Sequence, residues 1–329
     1  ENMIRSLHFT SQSSLRENLP PADFPAAIRA RNSLLWVDFL GEPPETCEPI
    51  LKQFGFHPLS IDDALQETHS PKIDDWGNYI YVVLNYMNLL QNSNWDIEVD
   101  EVDIFLGPNY IITHHDYPLP ALDETWATCH RDLRNLQAGA DHLLYKIIDN
   151  IVAGYMPLVE NIDQAIDAIE DEIFERPTPH TLERLFTLKR ALLAMRRILL
   201  PQREVLNKLA RDDYRVIDSR DRIFFRDIYD HLVRLHDINE SLRDLLSGAL
   251  DTYLSVMNNR MNDVMKTLTI ITTLFMPITF VTGFFGMNFF EPVAHLLGWT
   301  SRELFLTTLV LLLLLPIGMY FWMRHRTWI

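Results

Sequence analysis

Two long uncharged stretches near the C-terminus constrain this chain more than any other feature. Residues 268–285 read LTIITTLFMPITFVTGFF and residues 304–323 read LFLTTLVLLLLLPIGMYFWM, and neither contains a charged side chain. As helices they would span ~27 Å and ~30 Å, enough to cross a hydrocarbon core about 30 Å thick. In lipid the backbone must satisfy its own N–H and C=O groups, so both stretches are expected as transmembrane helices. The alternative is a pair of buried helices in a soluble protein, but uncharged runs of this length exceed an ordinary core helix. A short connection, 286–303, joins them and opens Gly286-Met287-Asn288.

Charge orients the hairpin. Arg260 and Lys266 precede the first stretch, Arg324 and Arg326 follow the second, and the connection sets Arg302 against Glu291 and Glu303. Positive charge therefore gathers on the side holding both ends, which is expected to be the cytoplasm. Trp299, Tyr320, Trp322 and Trp328 stand where interfacial aromatics belong. The expectation is a multi-pass protein of the cell (inner or plasma) membrane, with cytoplasmic N- and C-termini, a C-terminal tail at 324–329 and the lipid bilayer as a partner.

The part before the hairpin holds nearly all of the formal net charge of −16. Such an acidic body does not suit nucleic acid, whose phosphates require Lys and Arg stripes. It suits a cationic partner, and equally it serves solubility alone. The two cysteines, Cys47 and Cys129, lie far apart and fit a reducing compartment rather than a disulfide framework or a Cys-ligated zinc site. Residues 1–10 hold no apolar signal run, so the hairpin itself is expected to direct membrane insertion.

Along the chain, residues 32–40 (NSLLWVDFL) read as a strand stopping at Gly41, and 48–54 show helical spacing. Ser60-Ile61-Asp62-Asp63 is expected to open a short helix, with Ser60 and Asp63 as a capping box. Residues 78–89 read as a long strand, and 95–106 with 110–114 as a hairpin across Gly107-Pro108-Asn109. Residues 1–120 are thus a small cytoplasmic α/β domain with several antiparallel strands. A helical hairpin region, 121–213, follows. Apolar residues at steps of three and four predict one helix over 141–174, ended by Pro177 and Pro179, and a second over 181–210 with a break near Pro201. After Tyr214 a third helix meets no proline until Pro277. At about sixty residues it would be ~90 Å long, a stalk (214–285) continuing into the first transmembrane helix. The expected fold class is an α+β cytoplasmic domain followed by a helical stalk and two transmembrane helices.

One face of the stalk carries Asp251, Leu254, Asn258, Met261 or Asn262, Met265, Leu268, Thr272, Met276, Thr279 and Gly283, at a mean step near 3.5. Small and hydroxyl residues in a membrane helix serve helix–helix packing. The same stripe could instead line a water-filled axis in a ring of identical helices, which requires an oligomer. Three other features have simpler readings. Seven acids over 160–175 make a solvated helix face, His114-His115-Asp116 ends a strand, and Asp227 and His231 lie one helical turn apart.

The run NDVMKTLTIITTLFMPITFVTGFFGMNF (262–289) resembles the CorA family of divalent-cation transport proteins, whose GMN signature Gly286-Met287-Asn288 matches at the outer end of the first membrane helix. ERPTPHTLERLFTLKRALLAMRRILLPQREVLNKLARD (175–212), FFRDIYDH (224–231) and HPLSIDDAL (57–65) extend the resemblance over most of the chain. It implies a homopentameric membrane channel with one central pore. Asn288 would form a ring of five amide oxygens at the outer mouth, Gly286 would let the backbone turn, and Thr279 and Thr272 would offer oxygens deeper in. Met265, Leu268 and Met276 would form an apolar constriction, with an Asp251 ring below. The resemblance also implies a regulatory, inter-subunit Mg²⁺ site with Asp62 and Asp63 in one half and Asp227 in the other, holding the pore closed when internal Mg²⁺ is plentiful.

Phe285 stands where the family usually has Tyr, the outer loop FFEPVAHLL lacks the usual MPEL, and the tail MRHRTWI is less basic than is common. The leading reading is transport of Mg²⁺, with Co²⁺ and Ni²⁺ as further ions. A second is Zn²⁺ transport within the same superfamily, coupled to protons; such relatives often vary the middle residue of GMN, so Met287 favours the first. A third is a membrane-tethered cytoplasmic sensor. The chain has no phosphate loop, nucleophile elbow or HExxH helix, so no enzyme is expected.

Overall fold

The computed structural model describes residues 3–10, 14–30, 32–66, 70–89, 95–287 and 302–326. The chain divides into two compact units, Glu1–Thr252 and Tyr253–Ile329. In chain order the described elements are β1 (Met3–Thr10), β2 (Leu15–Glu17), α1 (Phe24–Arg29), β3 (Ser33–Leu40), α2 (Pro44–Gln53), α3 (Pro58–Leu65), β4 (Lys72–Asp75), β5 (Ile80–Leu89), β6 (Ile97–Leu106) and β7 (Tyr110–His115). The helices α4 (Pro120–Arg131), α5 (Arg134–Gln137), α6 (Ala140–Ala153), α7 (Tyr155–Glu175), α8 (Pro179–Arg211), α9 (Arg222–Phe285) and α10 (Arg302–His325) follow.

In the first unit the strands form one sheet in the order β2-β1-β3-β7-β6-β5-β4, antiparallel except for the parallel pair β3 and β7. The expected β6–β7 hairpin is present, closed by Gly107 N–H donating to the Tyr110 carbonyl at 2.9 Å. The strand expected over 32–40 is β3, and that over 78–89 is β5. β3 reads SLLWVDFL and is buried along nearly its whole length. Such continuous burial marks a strand covered on both faces. On one face α1, α2, α3 and the link between the last two bring Phe24, Cys47, Leu51, Phe56 and Ile61 against Leu35, Val37, Tyr81, Phe105 and Ile112. The other face receives α6, α7 and α8.

Burial in this sheet extends to charge. Asp38 in β3 is fully buried, yet Arg5 Nε donates to it at 2.7 Å, Thr113 donates to it, and His115 Nε2 lies 3.2 Å from it. Burial alone would raise the Asp38 pKa, but the hydrogen bond and charge of His115, together with Arg5 and Thr113, outweigh it and hold the carboxyl below its ordinary value. For His115 burial works the other way, and the Asp38 partnership again wins, raising the imidazole. A second buried junction ties the sheet to the helices. Tyr155 OH donates to the Asn85 carbonyl and accepts from Gln202 Nε2 at 2.6 Å, while Gln202 Oε1 accepts the Asn85 N–H at 3.1 Å.

Five local expectations are corrected. The helix over 141–174 is two, α6 and α7, parted at Gly154. A Cβ there would lie 3.1 Å from Tyr86 Cε2, so the turn falls where the backbone comes up against a side chain of β5. α8 does not break at Pro201, because Ile198, Leu199, Gln202, Val205 and Leu206 bury its face on both sides of the proline. The helix begins at Pro179, where Thr178 forms a capping box with Thr181. α3 begins at Pro58, not Ser60: His57 is the N-cap, its ring accepting from Leu59 N–H at 3.2 Å, and Ser60 donates to the His57 carbonyl at 2.9 Å. The long helix starts at Arg222; residues 214–221 are turns. β1, β2 and β4 were not foreseen.

The second unit contains the continuation of α9, which runs through Pro277 to Phe285, and α10. The most apolar windows of α9 and α10 have mean hydropathies of 1.7 and 2.1, and each is long and apolar enough to cross a membrane. Large apolar side chains stand unpacked there, with Met276 at 71% and Phe280 at 73% exposure.

Candidate functional site

The stripe read from the sequence lies on one continuous helix. Asp251, Asn258, Asn262, Met265, Leu268, Thr272, Met276, Thr279 and Gly283 all fall within α9, and all are exposed in the single chain. Exposure does not set them apart, since Ile271, Phe275 and Phe280 on other faces are equally open. Their hydrogen bonding does not set them apart either, since Thr252, Thr267, Thr269, Thr282 and Thr307 make the same bond to the carbonyl four residues back. Thr272 Oγ1 donates to the Leu268 carbonyl at 2.8 Å, and Thr279 Oγ1 donates to the Phe275 carbonyl at 2.9 Å. Each hydroxyl proton is spent on its own helix, which leaves the oxygen lone pairs as outward acceptors. Such a group accepts from water or faces a cation without carrying charge.

α9 ends at the signature tripeptide. Gly286 N–H donates to the Thr282 carbonyl at 2.9 Å, and Met287 N–H to the Phe284 carbonyl at 3.3 Å. A Cβ on Gly286 would sit 3.1 Å from the Thr282 oxygen, so a larger residue would crowd the last turn. Asn288, expected at the outer mouth, lies outside the described residues, as do 289–301 and 327–329.

The acids expected to regulate the protein have different neighbours. Asp62 and Asp63 are on α3, the first exposed and the second half-buried. Asp63 is ion-paired with Lys72 of β4, and Asp74 lies 3.4 Å from the same ammonium. Burial opposes the Lys72 charge, but Asp63 and Asp74 together hold its pKa above the ordinary value. Asp227 is exposed on the second turn of α9. Its charge acts on Asp149 of α6, a residue that sequence reasoning missed. Burial pushes the Asp149 carboxyl up, Lys146 and His231 pull it down, and Asp227 adds to the rise. The signal for Asp149 was its place on the polar side of α6, which pattern alone does not distinguish from a solvated acid. Among the described residues, no three His, Cys, Asp or Glu side chains gather in a way that could hold a metal ion. His114 and His115 end β7 as expected, both buried, with His115 committed to Asp38 and the Tyr117 carbonyl.

A family model described as CorA-like Mg2+ transporter protein matches residues 31–325. The chain is 37% identical over 264 residues to the cobalt/magnesium transport protein CorA of Thermotoga maritima, covering 80% of this chain and 75% of that one. It is 25% identical over 279 residues to the zinc transport protein ZntB of Yersinia enterocolitica, covering 83% of this chain and 81% of that one. The solved CorA magnesium transporter of Methanocaldococcus jannaschii superposes with a TM-score of 0.83 at 21% identity, covering 98% of each chain, and so has the same fold.

Proposed function

Because this chain belongs to the CorA-like Mg2+ transporter proteins, a family of membrane divalent-cation transporters and not of enzymes, we propose that it carries hydrated Mg²⁺, and with it Co²⁺ and Ni²⁺, along a pathway lined by α9. The observation that carries this reading is the family match over residues 31–325, on a chain with two helices long and apolar enough to cross a membrane; Thr272 and Thr279 are the hydroxyls the stripe would offer the ion. Mg²⁺ gives up its water reluctantly. Neutral oxygens that only accept can hold a hydrated ion through its waters, weakly enough to let it leave. Asn288 supplies amide oxygens of the same kind at the mouth, with Gly286 and Met287 shaping the turn before it.

One copy of α9 cannot enclose a path, so the working form is an oligomer, and we take it to be a homopentamer. Met265, Leu268 and Met276 then form the narrow apolar section, Gly283 lets neighbouring helices approach, and Asp251, Asn258 and Asn262 line the inner end. Both termini face the cytoplasm, 1–120 and 121–213 form the cytoplasmic body, 214–285 the stalk with the first transmembrane helix, 304–323 the second, and 286–303 the outer loop. Gating by internal Mg²⁺ rests on Asp62, Asp63 and Asp227, with Asp149 as a further donor.

Zn²⁺ is the second reading, favoured by the similarity to ZntB. Uptake into liposomes separates the two, with Mg²⁺ and Zn²⁺ compared at low internal Mg²⁺, with and without a pH gradient, beside Asn288→Ala. Mg²⁺ flux that ignores the gradient and disappears in the variant supports the proposal. Zn²⁺ flux that grows with the gradient replaces it with the second reading. Absence of flux for either ion overturns both and leaves a tethered sensor.

A further inference from the structure

The first half of α9 packs beside α7, where Val159 and Asp163 share a groove with Ile238 and Leu242, and beside α8, where Leu185 adjoins Leu246. Its covered face is an apolar seam with alternating steps of three and four. Leu232, Leu235, Leu242 and Leu246 are all buried along it. The position between Leu235 and Leu242, where this spacing calls for another apolar residue, holds Asn239. Asn239 is fully buried, and neither its Oδ1 nor its Nδ2 has a hydrogen-bond partner among the described residues. In the same turn the Nδ1 of His236 is likewise covered and without a hydrogen bond.

The neighbouring helices explain why the amide stays unpaired. Arg196 of α8 reaches Glu240 at 3.4 Å and so marks the height of Asn239 on that helix. The buried side chains of α8 at this height, Met195, Ile198 and Leu199, are apolar. Gln202, one turn further on, has its amide committed to Asn85 and Tyr155. A buried amide without a partner forfeits the hydrogen bonds it makes in water, which weakens the packing around it. If α9 parts from α7 and α8 at this layer, water reaches the amide and the loss is recovered. Parting at the leucine layers only exposes apolar surface.

We propose that Asn239 makes this layer a joint, at which α9 separates from α7 and α8 more readily than along the leucines on either side, and that the stalk moves there when the pathway opens. The second half of this proposal rests on the transport reading. Asn239 lies midway along α9 between Asp227 and Asp251. The joint therefore stands between an acid assigned to regulation and the start of the stripe assigned to conduction. The ion pairs beside it form a tether rather than a lock: Glu240 is held by Arg196 and, at 2.8 Å, by Arg243, and all three side chains are open enough to solvent for the charges to be screened.

Amide hydrogen exchange of the full-length protein, corrected for intrinsic rates, tests the joint by comparing the Asn239 layer, 236–242, with the leucine layers 228–234 and 244–250 of the same helix. In the wild type the Asn239 layer should exchange about tenfold faster, the scale set by an unpaired buried polar group. Asn239→Leu fills the position with an apolar side chain of similar size and should abolish that excess. Asn239→Val, which is smaller and cannot overpack the seam, should do the same, and Asn239→Asp, which buries a charge, should enlarge it. A wild type with no excess at this layer, or an excess that survives in both Asn239→Leu and Asn239→Val, overturns the joint. In liposomes at low internal Mg²⁺, Asn239→Leu should also lower Mg²⁺ flux severalfold; unaltered flux in a variant whose excess exchange is gone overturns the role in opening. A wild type without flux counts against the transport reading alone, because exchange decides the joint in either case.

Discussion

Replacing Lys72 by Gln tests whether Asp63 is a regulatory ligand, and the structure sets the size of the effect. The Lys72 ammonium occupies the Asp63 carboxylate, with Asp74 at 3.4 Å as its second partner. A divalent cation arriving at Asp63 must displace that ammonium before it can bind. The pair is open to solvent, with side-chain exposures of 30% for Lys72 and 42% for Asp63. Screening therefore reduces its worth to about 0.5–1 kcal/mol, well below the value of a buried ion pair. Removing the competitor returns that amount to cation binding, a gain in affinity of about two- to fivefold. The assay is a Mg²⁺ titration of the purified full-length protein, read as protection from proteolysis, for wild type, Lys72→Gln, Asp63→Asn and the double variant. Lys72→Gln should lower the half-saturating Mg²⁺ concentration by that factor, and Asp63→Asn should raise it by about tenfold, equivalent to about 1.4 kcal/mol. In the Asp63→Asn background, Lys72→Gln should have no further effect. Unchanged or weaker affinity in Lys72→Gln refutes the competition. An equal gain in the double variant refutes it too, because Lys72 would then act through Asp74 or by general charge.

Asp38→Asn should cost about 3 kcal/mol, because it takes the carboxylate from buried His115 and leaves Arg5 with Asp123 alone; a loss below about 1 kcal/mol in denaturant unfolding would show that the network is not coupled. The same pair sets a pH window. The stability from Asp38, whose pKa is lowered, is present above 3.8 and lost as pH falls through its depressed value, while that from His115, whose pKa is raised, is full below 6.5 and lost as pH rises through its elevated value. Melting temperature should therefore peak between these limits, and Asp38→Asn should flatten the peak. Tyr155→Phe strands the Asn85 carbonyl and the Gln202 amide, and should destabilise the protein by about 1–3 kcal/mol in the same unfolding assay. Thr279→Val keeps the shape of the side chain and removes its outward oxygen, so Mg²⁺ flux in liposomes should fall about two- to tenfold with unchanged folding, at about 0.5–1.5 kcal/mol for a lost acceptor, whereas Thr279→Ser should stay near wild type.

What the sequence made legible follows the range of the interactions responsible. The two apolar stretches, β3, β5 and the β6–β7 hairpin were readable because burial on a fixed period, or of a whole strand, leaves a local pattern. β1 escaped because its neighbours are far off in sequence: the partner of Arg5 is Asp38, and nothing within residues 3–10 announces it. The break at Gly154 escaped for a related reason, since the apolar spacing runs straight through it and only the approach of Tyr86 requires the turn. Pro201 misled in the opposite direction: a local breaker was overruled by the buried face that continues on either side.

The same distinction divides the candidate site. The stripe on α9 is a one-dimensional pattern and could be read directly, down to the hydroxyls whose protons the helix itself absorbs. The regulatory acids could not be weighed that way, because an acid on a helix face looks identical whether it is solvated, paired or waiting for a cation. Only the fold shows that Asp63 already has an ammonium partner and that the charge of Asp227 on α9 reaches Asp149 on α6. Those two states call for different chemistry. Asp227 repels Asp149, with Lys146 and His231 already offsetting part of that charge, whereas Asp63 is ion-paired and must be outcompeted for. A site assembled from both halves would bind first where repulsion is relieved, and would recruit Asp63 only when the cation exceeds what Lys72 offers. Occupancy would then rise in two stages, so regulation of α9 would be graded by cation concentration, with Lys72 setting the upper threshold.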